Sequence, residues 1–142
     1  MAKLVKPFHP RRFGGTQELH PEAAKRAGYR TASLSVRGGL EGLDLAPPRE
    51  PYFRFVYVRE PDATGHRRGA ASEEYRAAAL GADAVVAALA AHLDLGRETL
   101  IVATDHGHLP RGGHGGHEEV VLRIPLVLAG AGIRPGSTID AA

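Results

Sequence analysis

The chain of 142 residues contains no cysteine. Disulfides and thiolate metal sites are therefore excluded, and any metal must be held by oxygen and imidazole donors. It has no run of about 18 apolar residues, the length a membrane-spanning helix needs. The Ala-rich stretch over 77–91 is interrupted by Asp83 and reads as a helix of a globular protein. No apolar segment follows Lys3 and Lys6, so no secretory leader is expected, and a cytoplasmic location is the corresponding expectation. Aromatic residues are scarce at 6%, and lysine occurs only at positions 3, 6 and 25. Even so, 43% hydrophobic and 24% charged residues make a globular composition, not a disordered one. The formal net charge of +2 is too small to call for a nucleic-acid partner.

The charge is unevenly spread. Residues 1–61 hold eleven Lys/Arg against six Asp/Glu (+5), and residues 62–142 hold seven against ten (−3). The acidic part is also where His66, His106, His108, His114 and His117 gather. Carboxylates among imidazoles suit a cation better than a polyanion.

Residues 1–16 read as an irregular basic arm. A short helix opens at His20-Pro21-Glu22, with proline suited to a first helical turn, and Gly28 stops it. Thr31 to Val36 is an expected strand, and Gly38 to Pro51 a Gly/Pro loop. Tyr52 to Val58 is aromatic and β-branched, a strong strand signal. It ends at Glu60-Pro61-Asp62, which reads as the start of a turn. Ser72 before Glu73 and Glu74 is an N-cap with acids in the first turn. Ala78, Ala79, Ala82, Val85, Val86, Leu89 and Leu93 then recur at helical spacing. Thr99 to Ala103 is a continuous apolar strand, of the kind buried on both faces. A loop over 105–119 leads to a last strand around Pro125-Leu126-Val127-Leu128-Ala129. Strands alternating with a long helix predict an α/β fold, part of a doubly wound, mostly parallel sheet with crossover helices. Strands 52–58, 99–104 and 125–129 are expected as parallel neighbours. The division expected is 1–51 (arm, short helix, strand and loop, a stub of a cap) and 52–142 (a metal-binding α/β half-domain).

In parallel sheets, ligands sit beyond the carboxyl ends of the strands. Asp62 and Asp105 both fall there. Asp62-Ala63-Thr64-Gly65-His66 can bring a carboxylate and an imidazole to one cation if Gly65 eases a tight turn; read alone, it is rather a loop with a surface histidine. Asp105 and His106 can share a metal only where the strand has ended and Gly107 lets the chain bend. Around His114, four glycines let the backbone close on an ion, though a plain surface loop has the same composition. All three groups lie on one rim, and nitrogen and oxygen donors without sulfur suit Zn²⁺ or Mn²⁺ better than Mg²⁺.

A strand, Asp62-x-x-x-His66, a helix, a strand, Asp105-His106-Gly107, a Gly-flanked His114 and a Pro-initiated strand: in this order the chain resembles the C-terminal half of the alkaline phosphatase superfamily. The nearest branches are the type I phosphodiesterases, the sulfatase-like hydrolases and the lipid-anchor phosphoethanolamine transferases. The resemblance covers residues 52–136. It implies two divalent metals, Zn or Mn, one on Asp62, His66 and His114, the other on Asp105 and His106. His117 competes with His114 for the third place. His108 falls where the family varies and reads as an outer contact or a solvated side chain. Arg111 is a candidate anion contact.

The implied activity is hydrolysis of a small-molecule or lipid-linked phosphate or sulfate ester. The family's nucleophilic Ser or Thr and its first-strand Asp precede all of these motifs. Thr16, Thr31, Ser33 and Ser35 occupy no convincing nucleophile turn. The expectation is therefore a chain truncated at its N-terminal side, lacking the nucleophile, nearly inactive alone, with that half absent or supplied by another chain. The alternatives are a non-catalytic metal-binding or interaction remnant, and an isomerase resembling phosphoglycerate mutase or phosphopentomutase. The Gly-flanked His114 favours the hydrolase branches.

Overall fold

The structure, a computed structural model, describes residues 20–36, 40, 43–49 and 51–138. The arm expected over 1–16 lies outside them, as does part of the Gly/Pro loop.

Helix α1 (His20–Arg26) ends at Gly28, whose φ of +87° is a left-handed conformation that glycine adopts without strain. Strand β1 (Arg30–Val36) pairs in parallel with β2 (Tyr52–Val58), Arg30 opposite Tyr52 and Val36 opposite Val58. Helix α1 packs on both strands. Between them, the Arg54 guanidinium donates to the carbonyls of Leu45 and Ala46 at 3.0 and 3.1 Å, which pins the returning loop over the sheet.

The chain leaves β2 through Arg59 directly into α2 (Glu60–Arg68), where the sequence reads as a turn. Pro61 stands at the start of the helix, Glu60 and Asp62 lie in its first turn, and His66, Arg67 and Arg68 in its last. That charge order complements the helix dipole. Gly69, at φ +83°, then turns the chain toward α3 (Glu73–Ala90). The Ser72 hydroxyl caps α3 by accepting the Tyr75 amide at 3.1 Å, as its sequence predicts. Helices α2 and α3 pack on each other.

Strand β3 (Thr99–Ala103) and β4 (Leu126–Gly130) form a second sheet, and they are antiparallel, Ala103 opposite Leu126 and Thr99 opposite Gly130. The expected doubly wound parallel sheet is thus corrected. The fold is α/β with one parallel and one antiparallel pair, and among the described residues β2 does not pair with β3. The connection from β3 to β4 explains the direction. Its only helix is α4 (Glu119–Leu122), too short to cross a sheet, so the chain stays at the end where β3 stops and β4 must run back. Nor is β3 buried on both faces: Ile101 is 61% exposed, and Leu126 and Val127 are exposed beside it. A two-stranded sheet leaves those apolar side chains uncovered among the described residues.

The two sheets are tied where β2 begins. The Tyr52 hydroxyl donates to the Glu98 carboxylate, whose other oxygen accepts the Asp94 amide at 2.6 Å. Burial first, then the bond to Glu98 and its charge, push the Tyr52 phenol up to about 12. Among the described residues the buried hydrophobic ones are Val36, Leu45, Val85 and Val121, and Thr64 and His108 are buried polar ones. No described helix is long and apolar enough to cross a membrane.

Candidate metal centre

Helix α2 delivers the first two donors. Asp62 and His66 stand one turn apart on the same face, and His66 Nε2 lies 3.4 Å from Asp62 Oδ1. The remaining donors come from the segment after β3, held across α2 by its backbone. Ala70 and Ala71 donate to the carbonyls of Leu109 and Pro110 at 3.0 and 3.3 Å. Gly112 lies so close to the carbonyls of Gly65 and His66 that a Cβ there would stand 3.2–3.3 Å from them. Gly107 is not in the left-handed region expected of a bend. It is needed for approach, since a Cβ would fall 2.0 Å from the Val120 carbonyl, beside which the Gly107 amide donates to Val121 at 2.8 Å.

These contacts place four imidazoles around one carboxylate. Asp62, His66 and His114 put one donor atom each within 4.8 Å of one another, and Asp62, His106 and His108 do the same. Asp62 belongs to both groups. His66 Nε2 and His114 Nε2 face each other at 3.1 Å, and the rings of His106 and His114 stack with centroids 3.7 Å apart. Two imidazole nitrogens meet at that distance when they share one proton or one cation. Tetrahedral zinc with bonds of 2.0–2.1 Å separates its donors by about 3.3 Å. The observed 3.1 and 3.4 Å edges fit such a donor set.

His106 is prepared in the same sense. Its Nδ1 meets the Gly107 carbonyl at 3.0 Å, which assigns the proton to Nδ1 and leaves the Nε2 lone pair directed toward the carboxylates, 3.7 Å from Asp105 and 4.0 Å from Asp62. Asp105 itself is 84% exposed in its side chain and joins neither group. Tyr57, near the end of β2, senses both acids: partial burial raises its phenol, and Asp62 and Asp105 push the same way against Arg59. His117 and Arg111 are exposed, and His117 joins neither group.

Of the two readings that the sequence leaves for His108, an outer contact or a solvated side chain, its burial excludes the solvated one. It is buried, with Nε2 3.3 Å from Asp62 Oδ1 and its ring edge-on to Tyr75. One signal was available: residues two apart in extended chain share a face, so His108 follows His106. Gly65 departs from its expected role. It does not ease a turn but lies within α2, where a Cβ would come 2.6 Å from the His108 ring.

An α/β fold with two imidazole–carboxylate donor groups at strand and helix ends has the side chains to hold divalent metal, and with the family match that follows it is a metal-dependent hydrolase in the general sense. Residues 7–118 match the type I phosphodiesterase / nucleotide pyrophosphatase family, and the chain belongs to it. No curated protein and no solved structure matches. The family match begins at residue 7, so the likeness is not confined to a C-terminal remnant starting at residue 52 and lacking the nucleophile. The segment with α1 and β1 lies within the family match too.

Proposed function

We propose that this protein hydrolyses phosphoric or sulfuric esters, with phosphodiesters first among them. Asp62, His66 and His114 hold one divalent cation, and Asp105 with His106 contributes to a second. Every one of these ligands lies within 52–142, the metal-binding part of the chain. What carries the reading is the meeting of α2 with the segment after β3, where donors of Asp62, His66 and His114 lie within 4.8 Å of one another. Imidazole and carboxylate donors without sulfur favour Zn²⁺ or Mn²⁺. Such ions, when bound, polarise ester oxygens and offset the charge that develops on them.

The chain's own residues orient the donors. The Gly107 carbonyl fixes the His106 tautomer, and the loop 109–113 accepts hydrogen bonds from Ala70 and Ala71 just after α2, which leaves His114 beside His66. Arg111, exposed on that loop, would be the contact for a small-molecule or lipid-linked anionic ester.

The test is calorimetric titration of the metal-free protein with Zn²⁺ and Mn²⁺, followed by assays on aryl phosphodiesters, phosphomonoesters and sulfates. Binding that His66→Ala weakens, with chelator-sensitive release from the diester, is the expected result. No binding of either ion by the wild-type protein would overturn the reading.

A further inference from the structure

The two donor groups are not equivalent, and the difference lies in the second nitrogen of each ring. An imidazole that ligates through one nitrogen carries its proton on the other, and that N–H is ordinarily bonded to an acceptor. His106 meets this condition through the Gly107 carbonyl. His108 does not. Its Nδ1 is buried without a hydrogen-bond partner, on the side of the ring that faces the Cα of Gly65. Ligation through Nε2 would strand an N–H there, at the desolvation cost of an unsatisfied buried donor. The other tautomer has no such cost: Nε2–H donates to Asp62 Oδ1 at 3.3 Å, and only a bare ring nitrogen is left against the helix.

We infer that His108 is not a ligand but the positioning residue for Asp62, holding the carboxylate by an Nε2–H hydrogen bond so that it faces His66 and His114. The inference rests on the proposed metal centre for its consequence and on the hydrogen bonding for its geometry. With a side chain 3% exposed, His108 approaches Asp62 from the interior, whereas His66 approaches it from the solvent side. Gly65 belongs to the same device, since only a residue without a Cβ lets this ring lie against α2.

Long-range proton–nitrogen NMR spectra of the histidine rings test it on the wild-type protein, the His108 signals being those that His108→Gln removes. A proton on Nε2 in both the metal-free and the zinc-loaded protein is expected. A proton that moves to Nδ1 on loading, with the Nε2 signal shifted by zinc, would make His108 a ligand and overturn the inference. In titrations, His108→Ala should weaken zinc binding about 10–100-fold, the scale of lost outer-sphere support. His108→Gln keeps a donor near Nε2 and should recover most of that loss. Equal losses in the two variants, or none in either, would overturn the inference as well. If the wild-type protein takes up no zinc, the proposed function fails, while the metal-free spectrum still decides whether His108 donates to Asp62.

Discussion

The ring of His108 occupies the space that a side chain at Gly65 would need: a Cβ on residue 65 would stand 2.6 Å from its Cγ and Cδ2. This sets two effects against each other. Within a helix, Gly→Ala ordinarily stabilises by up to about 1 kcal/mol. Forcing a methyl group into a filled site costs about 1–3 kcal/mol. Gly65→Ala should therefore destabilise the protein by about 1–2 kcal/mol in urea unfolding and weaken zinc binding with it. A stabilised variant would mean that His108 yields easily and that the packing described is not tight.

The two donor groups share Asp62, so its loss should differ in kind from the loss of any single histidine. Asp62→Asn is expected to abolish measurable Zn²⁺ binding, and His114→Ala to weaken it at least tenfold, of the order seen when support of a metal site is removed. His117→Ala, exposed and outside both groups, should bind as the wild type does. Calorimetric titration of the three variants separates them, and an effect at His117 larger than at His114 would reverse the assignment of the loop ligand.

Tyr52 predicts an alkaline weakness. Its phenol is raised to about 12 in the folded chain by burial and by the bond to Glu98, against an ordinary value of 10.0. Between those values the unfolded chain has already released the proton that the folded chain keeps. Stability is thus fully present below pH 10 and falls as pH rises toward 12. With allowance for partial exposure the loss is on the order of 1 kcal/mol. Tyr52→Phe should flatten that part of a stability–pH profile; parallel decline in the two proteins would argue against the tie between the sheets.

Tyr57 offers a reporter for the acidic rim. Asp62 and Asp105 both raise its phenol and Arg59 lowers it. Asp105→Asn should shift the tyrosinate titration to lower pH and Arg59→Ala to higher pH, each followed as the absorbance difference from the matching Tyr57→Phe protein. Unchanged titration in Asp105→Asn would place Asp105 away from the rim that the metal proposal gives it.

Local signals were legible in the sequence where one residue decides the conformation. Ser72 with Glu73 and Glu74 marked α3, Gly28 marked the end of α1, and the aromatic run from Tyr52 marked β2. Strand direction was not legible, because an apolar run such as Leu126-Val127-Leu128 is the same read either way; the connection over 104–125, which holds no helix long enough to cross a sheet, decides it. Helix α2 was hidden because Pro61 and Gly65 read as turn residues when one is a helix start and the other a clearance. Asp62, His66, His106 and His114 stand out in the sequence by type and order, and the structure brings donors of all four together, whereas Asp105 stays exposed and outside both groups. The division of labour between His106 and His108 depends on which ring nitrogen finds an acceptor, and no spacing encodes that.

The meeting of His66 with His114 also bears on chain entropy. The two residues are 48 apart in sequence, and a cation held by both would close that span as a covalent bridge does. In the chain-entropy treatment of cross-links, a loop of this length restricts the unfolded ensemble by about 4 kcal/mol. A chain with no cysteine has no disulfide with which to make such a closure. The ion would then be a structural cross-link as well as a reactant's partner, and it would be removable by a chelator rather than by a reductant.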